Sequence, residues 1–304
     1  MSLRAVRFTK EVTPGVFPTS PAAGTQSVLR LHANESFEAQ PTPIHYNVRD
    51  AGGSNRVVQT GSAQSGTGGK LMTLFYFSQA KLLLPWALSL AGAPLGVGTG
   101  TFDYVWQLED GTFAYRRYLG ATCKRFQLSA NNSGDGVLCA LAFDFDYLAV
   151  ASITNTDFAV PALTAYPSDQ PVVFQQLVGG LTLGSSRTNF KEISLSVENQ
   201  TKPLYDEFKF PSAIRWLGRD VTFNSSFRYK SQADRTALES VSAQTASLAF
   251  TDGTNTTTFD LKTAGVIRSV SDSMPLNDAA YQGLSFASLL DATAGTDISV
   301  ATTP

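Results

Sequence analysis

Few residues in this chain could do chemistry. His32 and His45 are the only histidines, and Cys123 and Cys139 the only cysteines. A Ser–His or Cys–His machine needs a histidine beside a nucleophile and an orienting carboxylate. Neither histidine has such neighbours in sequence, and two Cys with two His at these positions match no zinc spacing. Close carboxylate pairs occur at Asp144/Asp146 and Glu109/Asp110. Paired carboxylates are the machinery of glycoside hydrolysis, and because their proximity is spatial that reading stays open on sequence. Solvated sheet faces and turns are the favoured alternative. The glycine string GVGTG at 96–100 leads into a strand pattern, the reverse of the strand–loop–helix order of a phosphate loop, and GTGGK at 66–70 lacks the Ser or Thr after its lysine. No metal or cofactor is expected, and no enzyme.

The elements that would position these residues read as mainly β. Only 16% of the 304 residues are charged, which suits sheets with many turns and a subunit that hides surface against copies of itself. The net charge of −2 lacks the basic excess by which proteins grip nucleic acid. The opening MSLRAVRFTKEVTPG has no signal-peptide core, so cytoplasmic synthesis is expected. Residues 71–97 are apolar enough to suggest a membrane span, but Gln79, Lys81 and Pro85 interrupt them. Phe77, Ala80, Leu84, Leu88 and Ala91 recur at helical spacing, predicting a buried helix over 76–91 that stops at Gly92, with Pro85 inside it.

Residues 1–27 read as an extended arm, with three prolines and two glycines in TPGVFPTSPAAGT. Val16 and Phe17 are its candidates for burial on a neighbouring subunit. The clearest hairpin joins 124–130 to 137–145. Pairing Ala130 with Val137 would merge the two apolar faces, placing Cys139 in the core and Cys123 opposite, which excludes a disulfide.

Several features recur at one spacing, about 142–145 residues: Asp110–Gly111–Thr112 and Asp252–Gly253–Thr254, Gly120 and Gly265, Leu141 with Phe143 and Leu284 with Phe286. Ahead of them lie helix candidates at 76–91 and 231–242. The common order indicates an internal duplication. The Pro-rich stretch 161–171 is the expected join, giving an arm at 1–27 and domains at 28–165 and 166–304.

Nearly the whole chain resembles the tail tube proteins of siphophages, in loose patterns of which none is diagnostic alone. The stretch EVTPGVFPTSPAAGTQSVLRLHANESF is similar to that family's Pro/Gly arm and first strand, and VVQTGSAQSGTGGKLMTLFYFSQAKLLLPWAL to its Gly-rich strand and helix. YLGATCKRFQLSANNSGDGVLCALAFDFDYL and FKEISLSVENQTKPLY also look typical. The resemblance implies two tandem rolled β-sandwich tail-tube domains, each flanked by one helix, in a subunit of stacked rings whose lumen conducts DNA. It implies trimeric rings of pseudo-six-fold symmetry, with hexamers the alternative. Its other implications are a place in the virion tail, tape measure and tail terminator proteins as partners, DNA in the lumen without tight binding, and no membrane. Inward carboxylates would repel DNA. Asp144 and Asp146 are the first candidates for that wall, with Asp103, Glu109 and Asp110 behind them. Another viral structural β-protein (capsid or tail tip) and a β-sandwich carbohydrate-binding protein are the alternatives. The latter requires exposed aromatics around a carboxylate pair.

Overall fold

A computed structural model of the chain describes residues 2–18, 26–30, 37–38, 42–49, 55–88, 98–132, 137–154, 169–177, 180–187, 189–206, 210–228, 232–273, 280–290 and 296–303. The first half contains β1 (Ser2–Lys10), β2 (Gln26–Leu29), β3 (Phe37–Glu38), β4 (Thr42–Arg49), β5 (Asn55–Ser65), β6 (Gly69–Leu74), helix α1 (Phe77–Leu88), β7 (Thr99–Gln107), β8 (Phe113–Asn131), β9 (Ala140–Asp146) and β10 (Ala149–Ser152). The second half follows a 3-10 turn at Phe174–Leu177. It contains β11 (Leu181–Leu183), β12 (Ser185–Ser186), β13 (Phe190–Leu204), β14 (Ala213–Arg228), helix α2 (Ala233–Glu239), β15 (Gln244–Thr251), β16 (Thr256–Ser273), β17 (Tyr281–Ser288) and β18 (Ile298–Thr303).

The pairing of the first half repeats in the second, ladder for ladder and all antiparallel. In the first, β2–β1–β7–β8–β10 form one set and β3–β6–β9–β8 another. In the second, β12–β11–β15–β16–β18 and β13–β14–β17–β16 match them. Each half is thus two sheets sharing one long strand, β8 or β16. The β4–β5 ladder stands apart from both. The Asp-Gly-Thr turns are built alike. The Asp110 carboxylate accepts the Thr112 N–H at 2.9 Å, and that of Asp252 accepts the Thr254 N–H at 2.8 Å. Gly111 at φ 83° and Gly253 at φ 92° take the left-handed corner that glycine enters without a Cβ clash.

One ladder unites the halves: β8 pairs with β13 from Arg125 opposite Glu198 to Asn131 opposite Glu192. The sheet therefore runs β3–β6–β9–β8–β13–β14–β17–β16 without a break. Strict alternation sorts its two faces. One core-facing row crosses six strands as Thr73, Leu141, Leu128, Leu195, Phe223 and Phe286, all buried. The core is continuous too. Phe126 of β8 stacks on Phe259 of β16 at 6.1 Å, and Phe75 meets Phe250 of β15 at 5.4 Å.

Helix α1 is buried nearly all round, including Trp86, whose indole N–H donates to the Ala121 carbonyl at 2.8 Å. Pro85 lies inside it, leaving the Lys81 carbonyl without its helical donor. Asp169 closes the start of the helix, accepting from the Ser78 N–H at 2.9 Å and hydroxyl at 2.8 Å. The expected stop at Gly92, together with Ala91, lies outside the described residues. None of the described helices is long and apolar enough to cross a membrane.

Three sequence expectations need correction. Residues 2–10 are not a free arm: β1 pairs with both β2 and β7, and buries Val6 and Phe8 in the core. The β8–β9 register lies two residues from the expected one, with Ser129 opposite Ala140; a shift of two keeps both apolar faces together. A bulge between Cys123 and Arg125 then reverses the alternation, so Cys123 faces the core like Cys139. Both thiols are free, and burial pushes both up, that of Cys139 to about 12. We expect neither to react with a maleimide at neutral pH in the native protein and both to react after unfolding. Labelling by intact mass spectrometry checks this.

Candidate functional site: the polar face of the continuous sheet

The side chains that alternate with the core rows share one face of the seven strands β6, β9, β8, β13, β14, β17 and β16. One row runs Met72, Ala142, Gln127, Ser196 and Thr222. The next runs Leu74, Ala140, Ser129, Ser194, Asn224, Ser285 and Ser269, and a third Asn131, Glu192, Ser226, Gly283 and Ser271. A broad open trough of about 930 Å³ lies against the last two rows. Small uncharged polar groups dominate it. Such groups hydrogen-bond to water but carry no charge with which to hold a phosphate.

Apart from Glu192 and Asp272 in the trough, charge gathers in one row at one end: Lys70, Asp144, Arg125, Glu198 and Asp220. Signs alternate from Lys70 to Glu198, and Asp220 then sets a second acid beside Glu198. Asp144 stands between Lys70 and Arg125, and Arg125 pairs loosely with Glu198 at 3.6 Å. Both partners of that pair are well exposed, so it adds little stability. The Asp220 carboxylate accepts from the Gln200 amide at 2.9 Å.

The sequence candidates separate in space. Asp144 alone of the five lies within this polar face. Asp146 is 1% exposed and accepts from the Thr201 hydroxyl at 2.9 Å. Asp103 is fully buried in β7 between two arginines, Arg7 at 2.5 Å and Arg117 at 2.6 Å. A wall residue must show its carboxylate to solvent, so neither fits that role. Glu109 and Asp110 are exposed in the β7–β8 turn, where bonds from Thr112 hold the Asp110 carboxyl below its usual value. Phe17 is committed to its own chain, 3.5 Å beneath the Arg117 guanidinium, whereas Val16 is exposed.

Burial raises the Asp146 carboxyl, against a smaller opposing effect from Thr201. The folded state then binds a proton more tightly than the unfolded one, so this group's penalty is largest at neutral pH and disappears below about pH 3.8. Asp146→Asn should therefore raise the urea midpoint at pH 7, with a gain that shrinks toward acid. Urea melts at several pH values check it.

Among the described residues no sugar-site chemistry is assembled. The carboxylates of Asp144 and Asp146 sit in different environments, and the tryptophans are dispersed. Trp86 is core, Trp106 stacks on Tyr104 at 4.6 Å, and Trp216 is half-buried in β14. His32 lies outside the described residues, as does the side chain of His45. Among the described residues no group of His, Cys, Asp and Glu could hold a metal. The sequence did not point to Ser129, Ser194, Asn224 and Ser285 as a set. The signal was their alternation with apolar residues, but it takes the β8–β13, β13–β14 and β14–β17 ladders to bring them together.

A chain that repeats one strand order, continues a single sheet through both repeats and, among the described residues, leaves that sheet open at each end is built as a structural subunit for assembly with copies of itself. The family model for phage tail tube proteins matches residues 1–298, and the chain belongs to that family. It is thus a structural component of the phage virion that self-assembles into the rings of the tail tube. A search of curated proteins returns no match.

Proposed function

We propose that this is the tail tube subunit of a siphovirus-type phage, with the polar face of the continuous sheet lining the lumen. The carrying observation is the repeated ladder pattern, which gives one chain two successive wall segments in one sheet. Three chains then make a ring of pseudo-six-fold symmetry, each repeat serving as a tube domain, with the division at the 161–171 join. The wall is passive: Ser, Asn, Gln and Ala rows let the DNA backbone slide, and Asp144 belongs to a rim of mixed charge with one acid in excess. Tape measure and tail terminator proteins are the partners that such a tube requires, and the chain performs no catalysis.

Sedimentation and negative-stain microscopy of the concentrated protein test this reading. Hollow stacked rings, with a disassembled ring of three 32.6 kDa chains, are expected. Six-chain rings would contradict the trimer, and a monomer that never assembles would contradict the tube.

A further inference from the structure

The two repeats differ in what covers them, and the difference identifies a subunit joint. Aligning the repeats through their shared ladders sets Phe143 on Phe286, Leu128 on Val270, Leu71 on Phe223 and Phe37 on Leu195. In the first repeat the free edge of β8 is taken by β13. The equivalent edge of β16, Val266–Ser273, pairs only with β17 and has no second partner strand among the described residues. It contains no proline, and its one basic residue, Arg268, sits at a bulge. The usual guards of an open edge are therefore scarce along it.

Two further positions tell the same story. Helix α1 packs against β16 and β18 of the second repeat and is buried, whereas its counterpart α2 is largely exposed and is followed by Val241, 73% exposed. Asp146 and Tyr147 are buried at the end of β9, with Thr201 of β13 bonded to Asp146. Their counterparts after β17, Leu289 and Leu290, are 44% and 57% exposed. At all three places the second repeat of the same chain covers the first, and the second repeat's own counterpart is bare.

We infer that the β16 edge is occupied by β3 of a second copy of this chain, in the register that β13 adopts on β8. The intrachain pair Leu195–Leu128 becomes Phe37–Val270 between copies, and Ser196–Gln127 becomes Glu38–Ser269, where Ser269 lies on the polar face. The same docking brings the second copy's first repeat over α2, Val241, Leu289 and Leu290. Each joint repeats the one within the chain, so the sheet continues from copy to copy. This inference rests on the ring reading above and adds its partner surface and register.

Disulfide trapping tests it in the full chain. Glu38→Cys with Ser269→Cys places two thiols directly opposite between copies, within reach of a bridge. Cys123 and Cys139 are buried and do not compete. Glu38→Cys with Ser273→Cys is the control, on the same face but displaced by about 13 Å. Mild oxidation of assembled rings should move the monomer band of the first variant to dimer and closed-ring bands, reversed by reductant, and leave the control as monomer. Rings in which the control bridges instead, or in which neither variant bridges, would overturn the register. A protein that forms no rings by microscopy would overturn the ring reading itself, a result separable from both.

Discussion

Replacing Arg219 with alanine should cost about 3–5 kcal/mol of folding stability, the range for breaking a buried ion pair by removing one partner. The Arg219 side chain is 3% exposed, and its guanidinium joins three parts of the chain. It donates to the Leu88 carbonyl at the end of α1 at 2.8 Å, to the Asn199 side-chain oxygen at 2.8 Å and to Asp297 at 3.3 Å. Asn199 in turn donates to the carbonyls of Ala87 and Cys123. A cation at a helix C-terminus satisfies orphan carbonyls and opposes the helix dipole. Its removal leaves Asp297 buried without its charge partner and loosens α1 from the second repeat. Thermal melts should show a Tm lower by about 5–10 °C. Arg219→Lys should recover only part of this, because a single ammonium cannot present the guanidinium's fork to Leu88 and Asn199 together. An unchanged melt for Arg219→Ala would mean that the repeats are held by the β8–β13 ladder and core alone.

The second large effect is expected on DNA. Asn224 lies in the middle of the polar face, between Ser194 and Ser285. Asn224→Arg would place a cation there in every subunit of every ring. Where about 6–10 such arginines reach one DNA segment, binding should appear at low salt and fall by about 10³-fold or more between about 50 and 200 mM. Wild-type tubes and Asn224→Asp tubes should retain no DNA in the same filter-binding assay. Phage carrying Asn224→Arg should assemble tails and lose infectivity, since DNA that sticks in the conduit is not delivered. Wild-type tubes that bind DNA as tightly as the variant would contradict a passive wall.

Much of the fold was legible because local chemistry repeats. The Asp-Gly-Thr turns, the helical stripe Phe77, Ala80, Leu84 and Leu88, and the alternation through β8 and β9 are each written within a few residues. Their order is what reveals the duplication. What stayed hidden depends on pairing between distant segments. Nothing local to Asp103 says that Arg7 and Arg117 flank it, since those arginines arrive on β1 and on the first part of β8. Nothing local to Cys123 announces the bulge that turns it inward. Residues 1–10 read as an arm because the Pro/Gly stretch after them dominates the composition, although Val6 and Phe8 carry a strand's alternation. The wall escaped for a similar reason. A carboxylate pair attracts attention in sequence, while small polar residues on every second position of several strands become a surface only when ladders set the strands side by side.

Electron cryomicroscopy of tubes assembled from the purified chain tests the central claim most directly. It should show a hollow tube of stacked rings whose inner surface carries Ser129, Ser194, Asn224 and Ser285, with the sheet running unbroken from one copy to the next. A tube with that serine-rich face on its outside, or lined instead by the sheet containing β1 and β7, would contradict it.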